Sequence, residues 1–352
     1  MLQSIIYNIE DLDYFKILDQ LKLPEEISYI NIKSTIDAYN VIKNMNVRGA
    51  PLIAIVGICA ISLEIKLLKD KFTTNEELYE YLDPKINYLK SSRPTAVNLE
   101  NSLYKISEII SSIEYNVEEK IIKIIKMGNI MIENDLEINK KLSENGANNI
   151  IKDLKLDNNE KKINVVHICN TGTLATAGYG TALGIVRKLH ELNKLNCCYI
   201  LETRPYNQGS RLTTFELVED NIPCCLITDS ALTSLLSLKK INLSICGSDR
   251  TAKNGDTANK IGTLQLATLS KCFNIPFYVA CPEDSFDNNI LNGEDINIEY
   301  RPSDELRYIN TKNGKYLISS NKVEVWNPAF DITPKNLITK IFTENRFIDP
   351  NK

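Results

Sequence analysis

INVVHICNTGTLATAGYGTALG, residues 163–184, opens with seven mostly apolar residues, stops at a cysteine and continues in Thr, Gly and Ala. Four more short apolar runs follow: NCCYILE (196–202), IPCCLIT (222–228), INLSICG (241–247) and IPFYVAC (275–281). Mixed segments long enough for helices separate them. Continuous apolar runs of this length predict strands buried on both faces of a parallel sheet, and the natural packing for them is a three-layer α/β domain. In such sheets the ligand lies beyond the carboxyl ends of the strands. The residues that follow each run therefore come first: Cys169-Asn-Thr-Gly, Arg204-Pro-Tyr-Asn-Gln, Asp229-Ser, Gly247-Ser-Asp249-Arg250 and Pro282-Glu-Asp.

Upstream of this region the pattern is mainly helical, with one early strand expected at SYINIKS (28–34). Thr35 is placed to cap a helix carrying Ala38, Val41, Ile42 and Met45, which stops before Val47-Arg48-Gly49-Ala50-Pro51. From 117 to about 144, Ile, Leu and Met recur at helical spacing between charges, as in a long amphipathic connector. Asn145-Gly-Ala-Asn-Asn and Asp157-Asn-Asn-Glu read as polar loops beyond it. At about 100–200 residues per domain, 352 residues make two. The expected division is a mainly helical domain over 1–130 and an α/β domain over 131–352.

Composition removes several functions. Lys and Arg number 41 against 45 Asp and Glu, so the formal charge of −4 offers no basic excess for a nucleic-acid backbone. Only two histidines are present, His167 and His190, which argues against a histidine-ligated metal and leaves acid–base work to carboxylates, thiols or lysines. The nine cysteines are odd in number and lack Cys-x-x-Cys spacing, so neither a zinc ribbon nor a disulfide framework is expected. Most lie in apolar runs, where cysteine acts as a small buried hydrophobe, and a reducing compartment follows. The start MLQSIIYNIEDLDYF has no basic region or small-residue cleavage site. The longest apolar stretch, Ala50 to Leu63, contains Pro51, Gly57 and Ser62 and falls short of the ~18 residues of a spanning helix. A soluble cytoplasmic protein is expected, with no membrane partner.

Two residues stand out chemically. Cys169 ends the first run and precedes small residues that let a backbone approach a ligand. If Thr171 or Thr173 caps the next helix, the thiol lies at a helix N-terminus that favours thiolate. The other eight cysteines read as packing residues. Asp249, directly after the fourth run, is partly desolvated there and suited to act as an acid near neutral pH. It reads equally as a cap for a following helix or a partner of Arg250; Cys169, expected on the same rim, favours the acid. For anions there are Arg48 before Gly49 and Ala50, Arg93 in Ser-Ser-Arg-Pro-Thr, Arg204 and Arg211 around Pro-Tyr-Asn-Gln-Gly-Ser, and Asn259-Lys260. Their placement beside Gly, Pro and small residues favours a shared phosphate site. Gly178, Gly180 and Gly184 miss the dinucleotide spacing by one residue, and no Walker sequence occurs.

Read together, Arg-Gly-Ala-Pro (48–51), Ser-Arg-Pro-Thr-Ala-Val-Asn-Leu (92–99), Cys-Asn-Thr-Gly-Thr-Leu-Ala-Thr-Ala-Gly-Tyr-Gly-Thr-Ala-Leu-Gly (169–184) and Glu-Thr-Arg-Pro-Tyr-Asn-Gln-Gly-Ser-Arg-Leu-Thr (202–213) resemble the 5-methylthioribose-1-phosphate isomerase family. Gly-Ser-Asp-Arg (247–250), Asn-Gly-Asp-Thr-Ala-Asn-Lys-Ile-Gly-Thr (254–263) and Asn-Pro-Ala-Phe-Asp-Ile-Thr-Pro (327–334) continue the match in order. The resemblance implies a helical N-terminal domain, a Rossmann-like C-terminal domain with a mostly parallel sheet, a homodimer, no cofactor, no metal and a place in methionine salvage. It implies Cys169 as the catalytic thiol and Asp249 as the catalytic acid. Arg48, Gly49, Ala50, Arg93, Gln208, Asn259 and Lys260 match the substrate-binding positions. Ser248, Ser210 and Cys246 depart from the usual pattern without removing a reacting group.

The implied chemistry needs such residues. Phosphate on the anomeric oxygen blocks opening through a free hemiacetal, so an acid must protonate the ring oxygen. Hydrogen then moves from C2 to C1, as a proton through an enediol-type intermediate or as a hydride. Two other readings stay open: an isomerase of another pentose 1-phosphate, such as ribose 1,5-bisphosphate or 5-deoxyribose 1-phosphate, and a non-catalytic relative of the regulatory subunits of the translation-initiation exchange factor.

Overall fold

A computed structural model describes residues 2–11, 15–93, 97–157, 160–311 and 314–352, apart from the side chain of Asn310. The chain forms two compact units, Met1–Lys140 with Thr171–Gly180, and Lys141–Asn170 with Thr181–Lys352.

In the second unit the five apolar runs are strands: Ile163–His167, Leu195–Leu201, Cys224–Ile227, Leu243–Cys246 and Phe277–Ala280. Each pairs in parallel with its neighbours. Lys340–Phe342 extends the sheet in parallel and Phe347–Ile348 closes that edge antiparallel. Counted along the chain, the strands stand in the order third, second, first, fourth, fifth, sixth, seventh. This is the winding of a Rossmann-like sheet with one antiparallel strand added. The winding reverses between the first and fourth strands, the crevice where such sheets bind ligands.

Successive side chains of these strands enter opposite layers, so an all-apolar run requires cover on both sides. Val165, Ile200, Ile245 and Tyr278 pack with Leu142, Ile150, Leu183 and Val186 of helices Val117–Asp153 and Ala182–Glu191. Val166, Leu201, Cys246 and Val279 pack with Leu232, Leu236 and Leu266 of helices Leu232–Leu238 and Thr263–Cys272. Full burial of a Val, Leu or Ile contributes about 1.5–3 kcal/mol, so cover on both faces favours an apolar residue at nearly every position of these runs.

One expectation gives way here. The long helix runs to Asp153, through the loop expected at 145–149. Packing overrides the turn-like composition: a Cβ on Gly146 would meet Ile185 Cδ1 at 2.4 Å, Asn145 Nδ2 donates to the Thr343 carbonyl (2.8 Å), and Asn149 Nδ2 donates to the Asn145 carbonyl (2.9 Å). The units divide at Lys140/Lys141 inside that continuous helix, and Thr171–Gly180 belongs to the first unit. That segment is tied there by Ser4 Oγ to the Thr176 carbonyl (2.7 Å), Gln20 Nε2 to the Leu174 carbonyl (2.6 Å) and the Ala177 amide to Asp135 Oδ2 (2.7 Å). Asn158 and Asn159, in the second expected loop, lie outside the described residues.

The first unit carries a three-stranded antiparallel sheet, Ile5–Tyr7, Phe15–Leu18 and Tyr29–Asn31, of which only the third was expected. Ser34, not Thr35, caps the helix Thr35–Lys43, its Oγ accepting from the Asp37 amide. Thr35 instead gives its amide and hydroxyl to the buried Glu64 carboxylate (2.7 and 3.1 Å). Helix Ala50–Leu68 is longer than the apolar stretch implied. Pro51 fits in its first turn, Gly57 packs on Leu99, and Ser62 Oγ donates to the Ile124 carbonyl (2.7 Å). By length and composition it is able to cross a membrane, but every residue from Leu52 to Ile65 is buried in the core of this unit.

Candidate active site

Three loops at the carboxyl ends of the strands interlock around Cys169. After the third strand, the Asp229 carboxylate accepts from the amides of Thr203 (2.9 Å) and Arg204 (2.8 Å), which follow the second strand. Thr203 Oγ1 in turn accepts from the Cys169 amide (3.1 Å), and Thr213 Oγ1 donates to the Cys169 carbonyl (2.5 Å). Cys169 and Thr203 both stand in the left-handed region, at φ +76° and +62°. For non-glycine residues this costs of order 1–3 kcal/mol each and persists only where the surroundings enforce it. Gly209, which opens the turn carrying Thr213, is obligatory: a Cβ there would lie 1.8 Å from the Leu201 carbonyl oxygen.

The helix terminus expected behind Cys169 is not formed. A 3-10 turn, Thr173–Ala175, follows in the first unit, and the next helix begins only at Ala182. Cys169 is thus held by two threonine hydroxyls, not by a helix cap.

Asp249 follows the fourth strand, which runs parallel to the first with Ile245 opposite His167. Cys169 and Asp249 therefore leave neighbouring strands where the winding reverses. No helix follows Asp249 for it to cap. Its amide donates to the Ala258 carbonyl (3.0 Å) and the chain enters strand Arg250–Ala252, with Arg250 at 3.6 Å from Asp287. Beneath them the Cys246 thiol is pushed far up by burial and then by the charges of Asp331, Cys169 and Asp249, so it stays protonated. Ser248, one of the departures, is accommodated by a hydroxyl contact with Thr251 (2.8 Å).

Strand Thr257–Lys260 brings Asn259 and Lys260 into a small antiparallel sheet opposite Phe330–Thr333. Asn259 Nδ2 donates to Thr263 Oγ1 (2.9 Å), and Lys260 Nζ stands 4.2 Å from the centre of the Phe330 ring. Asp331, paired with Asn259, accepts from the amides of Gly262 (2.7 Å) and Leu264 (3.1 Å) and so caps helix Thr263–Cys272. Burial pushes its carboxyl up to about 6, against the pull of those amides and of Lys260. That helix end is thus taken by Asp331. Gln208 is buried with its Oε1 unpartnered, and Asn170 is buried with both amide atoms unpartnered. Arg204 and Arg211 spend their guanidinium groups on main-chain carbonyls, of Pro205 and Leu306 for the first and Tyr206 for the second.

In the first unit Arg48 is buried, with Nη2 at 3.4 Å from Met45 Sδ. Gly49 precedes helix Ala50–Leu68 at φ +94°, where a Cβ would lie 2.2 Å from the Ala175 carbonyl oxygen. Arg93 ends helix Asn75–Ser92, and Pro94–Ala96 of its motif lie outside the described residues. His167 is a core residue: fully buried, its Nδ1–H faces the Ile245 carbonyl (3.1 Å), and burial lowers its pKa to about 4. Among the described residues no group of three or more His, Cys, Asp or Glu gathers as a metal site. Thr203, Thr213 and Asp331 escaped the sequence reading, although all three lie inside motifs it singled out.

The initiation factor 2 subunit family matches residues 46–350. Methylthioribose-1-phosphate isomerase of Zea mays is 45% identical over 99% of this chain and 93% of its own length; that of Ricinus communis is 43% identical over 99% and 90%. The crystal structure of 5-methylthioribose 1-phosphate isomerase from Pyrococcus horikoshii superposes with a TM-score of 0.86 at 31% identity, covering 99% of this chain and 92% of that one. A structure from A. fulgidus, described as translation initiation factor eIF-2B subunit delta, gives 0.82 at 37%, covering 99% and 96%. The chain belongs to the initiation factor 2 subunit family and groups there with the methylthioribose-1-phosphate isomerases.

Proposed function

We propose that this chain isomerises 5-methylthio-D-ribose 1-phosphate to 5-methylthio-D-ribulose 1-phosphate in methionine salvage. The observation that carries the reading is the exit of Cys169 and Asp249 from neighbouring parallel strands at the reversal of winding. A thiol and a carboxyl group fixed on one rim suit a reaction that needs an acid at the ring oxygen and a second group at C1 and C2.

In this proposal Asp249 protonates the ring oxygen as the bond from C1 to that oxygen breaks. Hydrogen passes from C2 to C1. Cys169 serves as the base if it travels as a proton, and stabilises developing charge if it travels as a hydride. On either route the ring oxygen gains one proton and O2 loses one, which leaves an isomer. Lys260 and Asn259 take the phosphate, and Gln208 a sugar hydroxyl. Arg48, Gly49, Ala50 and Arg93 are proposed as further substrate-binding residues, on the chemistry of a buried guanidinium beside a glycine-led helix start. We also place the enzyme in the cytoplasm, in keeping with nine free cysteines, and as a homodimer. Exposed Val218, Leu226 and Leu238 on and around the edge strand Cys224–Ile227 support self-association; light scattering checks it.

The test is turnover of 5-methylthioribose 1-phosphate, 5-deoxyribose 1-phosphate and ribose 1,5-bisphosphate by the purified protein, followed by NMR. Fastest turnover of the methylthio sugar is expected. A preference for either other sugar moves the substrate, and no turnover of any favours the regulatory reading. In heavy water, deuterium at C1 of the product indicates proton transfer and its absence a hydride shift or a shielded base.

A further inference from the structure

Asn170 is 94% buried (6% exposed), and neither Nδ2 nor Oδ1 has a hydrogen-bond partner. Desolvating an amide without replacing its hydrogen bonds is unfavourable, and native proteins keep such groups rarely. The orphan is not a loosely held loop residue. The carbonyl of the preceding Cys169 is fixed by Thr213 Oγ1 and its amide by Thr203 Oγ1. Thr203 is itself fixed by Asp229. Asn170 thus follows directly on a residue whose amide and carbonyl are both fixed by threonine hydroxyls. In the same unit Gln208 also keeps a buried, unpartnered amide oxygen. Elsewhere in this unit Arg187 and Glu216 are paired with each other, and Asn207 and Thr333 each leave one buried oxygen unpartnered, but among the described residues Asn170 alone leaves both polar atoms of its side chain so.

We propose that the Asn170 carboxamide binds the cis 2,3-diol of the sugar, with Nδ2–H donating to O2 and Oδ1 accepting from the 3-hydroxyl. The inference rests on the isomerase reading above and adds a substrate contact to it. A carboxamide offers donors and an acceptor in one plane, the complement of two neighbouring hydroxyls, one accepting and one donating. O2 is the oxygen whose bonding changes: it begins as a hydroxyl, loses its proton and ends as the ketone oxygen, which only accepts. The Nδ2–H donor is therefore matched better to the transition state and product than to the starting sugar, and contacts that strengthen along the reaction coordinate raise kcat. Asn170 neither gives nor takes a proton in this scheme. It touches the reacting oxygen and is catalytic in that sense, beside Cys169 and Asp249.

The experiment compares the full-length wild type with Asn170→Ala and Asn170→Asp, measuring kcat and KM on 5-methylthioribose 1-phosphate and the melting temperature of each. For the alanine variant kcat/KM is expected to fall about 100-fold, most of it in kcat, as when a preorganised donor is removed. Its melting temperature should equal or exceed that of the wild type, because the deleted amide has no partner within the protein. The aspartate variant, close in shape and retaining the acceptor, should fold and lose at least as much, since it lacks the donor. A kcat/KM within threefold of wild type in the alanine variant overturns the proposal. So does a loss of activity that comes with a lower melting temperature in both variants, the mark of a structural amide. If the wild type itself turns over none of the three sugars, it is the isomerase reading that fails.

Discussion

Two buried polar clusters of the second unit invite comparison. Between helices Ala182–Glu191 and Thr214–Glu219, Arg187 gives Nη2 to Glu216 (2.7 Å) and Nε and Nη2 to Asp220 (2.8 and 2.7 Å). Burial works against the guanidinium charge, and the two carboxylates outweigh it. Around Cys169, by contrast, the backbone is held in left-handed conformations and the adjoining Asn170 carboxamide keeps both its polar atoms unpartnered. Arg187 and Glu216 in the first, and Cys169, Asn170, Thr203 and Thr213 in the second, are buried. The first is complete without help, as a network that fixes two helices should be. The second is strained and incomplete, which stable folds tolerate where a ligand finishes the job. Burial of polar groups therefore says little about function until one asks whether each has its partner.

The contrast predicts that changes at the two clusters move different observables. Asp249→Asn should cut kcat by about 10²–10⁴, the range for loss of a general acid, with the melting temperature nearly unchanged. Arg187→Ala should do the reverse. It strands the buried Glu216 carboxylate and the part-buried Asp220 and costs about 3–5 kcal/mol in urea unfolding, while kcat/KM of the folded fraction stays within threefold of wild type.

A smaller effect separates core from rim on the first strand. His167 has its pKa lowered from 6.5 to about 4, so the unfolded chain binds a proton that the folded one refuses. Its stabilising contribution is complete above pH 6.5 and is lost as pH falls through about 4, a difference of about 3 kcal/mol at 1.36 kcal/mol per unit. Asp331, raised from 3.8 to about 6, acts in the opposite sense, losing stability as pH rises through that window. The difference between wild type and His167→Asn unfolding curves across pH 4–7 isolates the histidine. That difference should shrink toward low pH. Gly49→Ala in the first unit adds a clash with the Ala175 backbone to a positive-φ cost of about 1–3 kcal/mol, read as a lower melting temperature.

The five central strands were legible because both their faces are buried and the apolar run is unbroken. Their order was not, since nothing in INVVHIC or INLSICG states that the first and fourth pair side by side. Cys169 and Asp249 stood out as candidates from their positions after those runs. The surroundings given to Cys169 were wrong, because Thr171–Gly180 joins the first unit and starts no helix at once. The helix through Asn145-Gly146 shows the same limit: its turn-like residues are reconciled with helix by Ile185 and Thr343, distant in sequence. Two three- or four-residue strands of the first unit, Ile5–Tyr7 and Phe15–Leu18, were too short to show a period. Asp331 was in view only as one letter of a motif; its cap on Gly262 and Leu264 joins positions nearly seventy residues apart.

The central claim is that the strained rim at Cys169 exists for chemistry and not for the fold. Steady-state turnover of 5-methylthioribose 1-phosphate by Cys169→Ser, with the melting temperature taken on the same preparation, tests it most directly. The account predicts a loss of about a thousandfold or more in kcat with the melting temperature close to wild type. Wild-type turnover by the serine variant would contradict it.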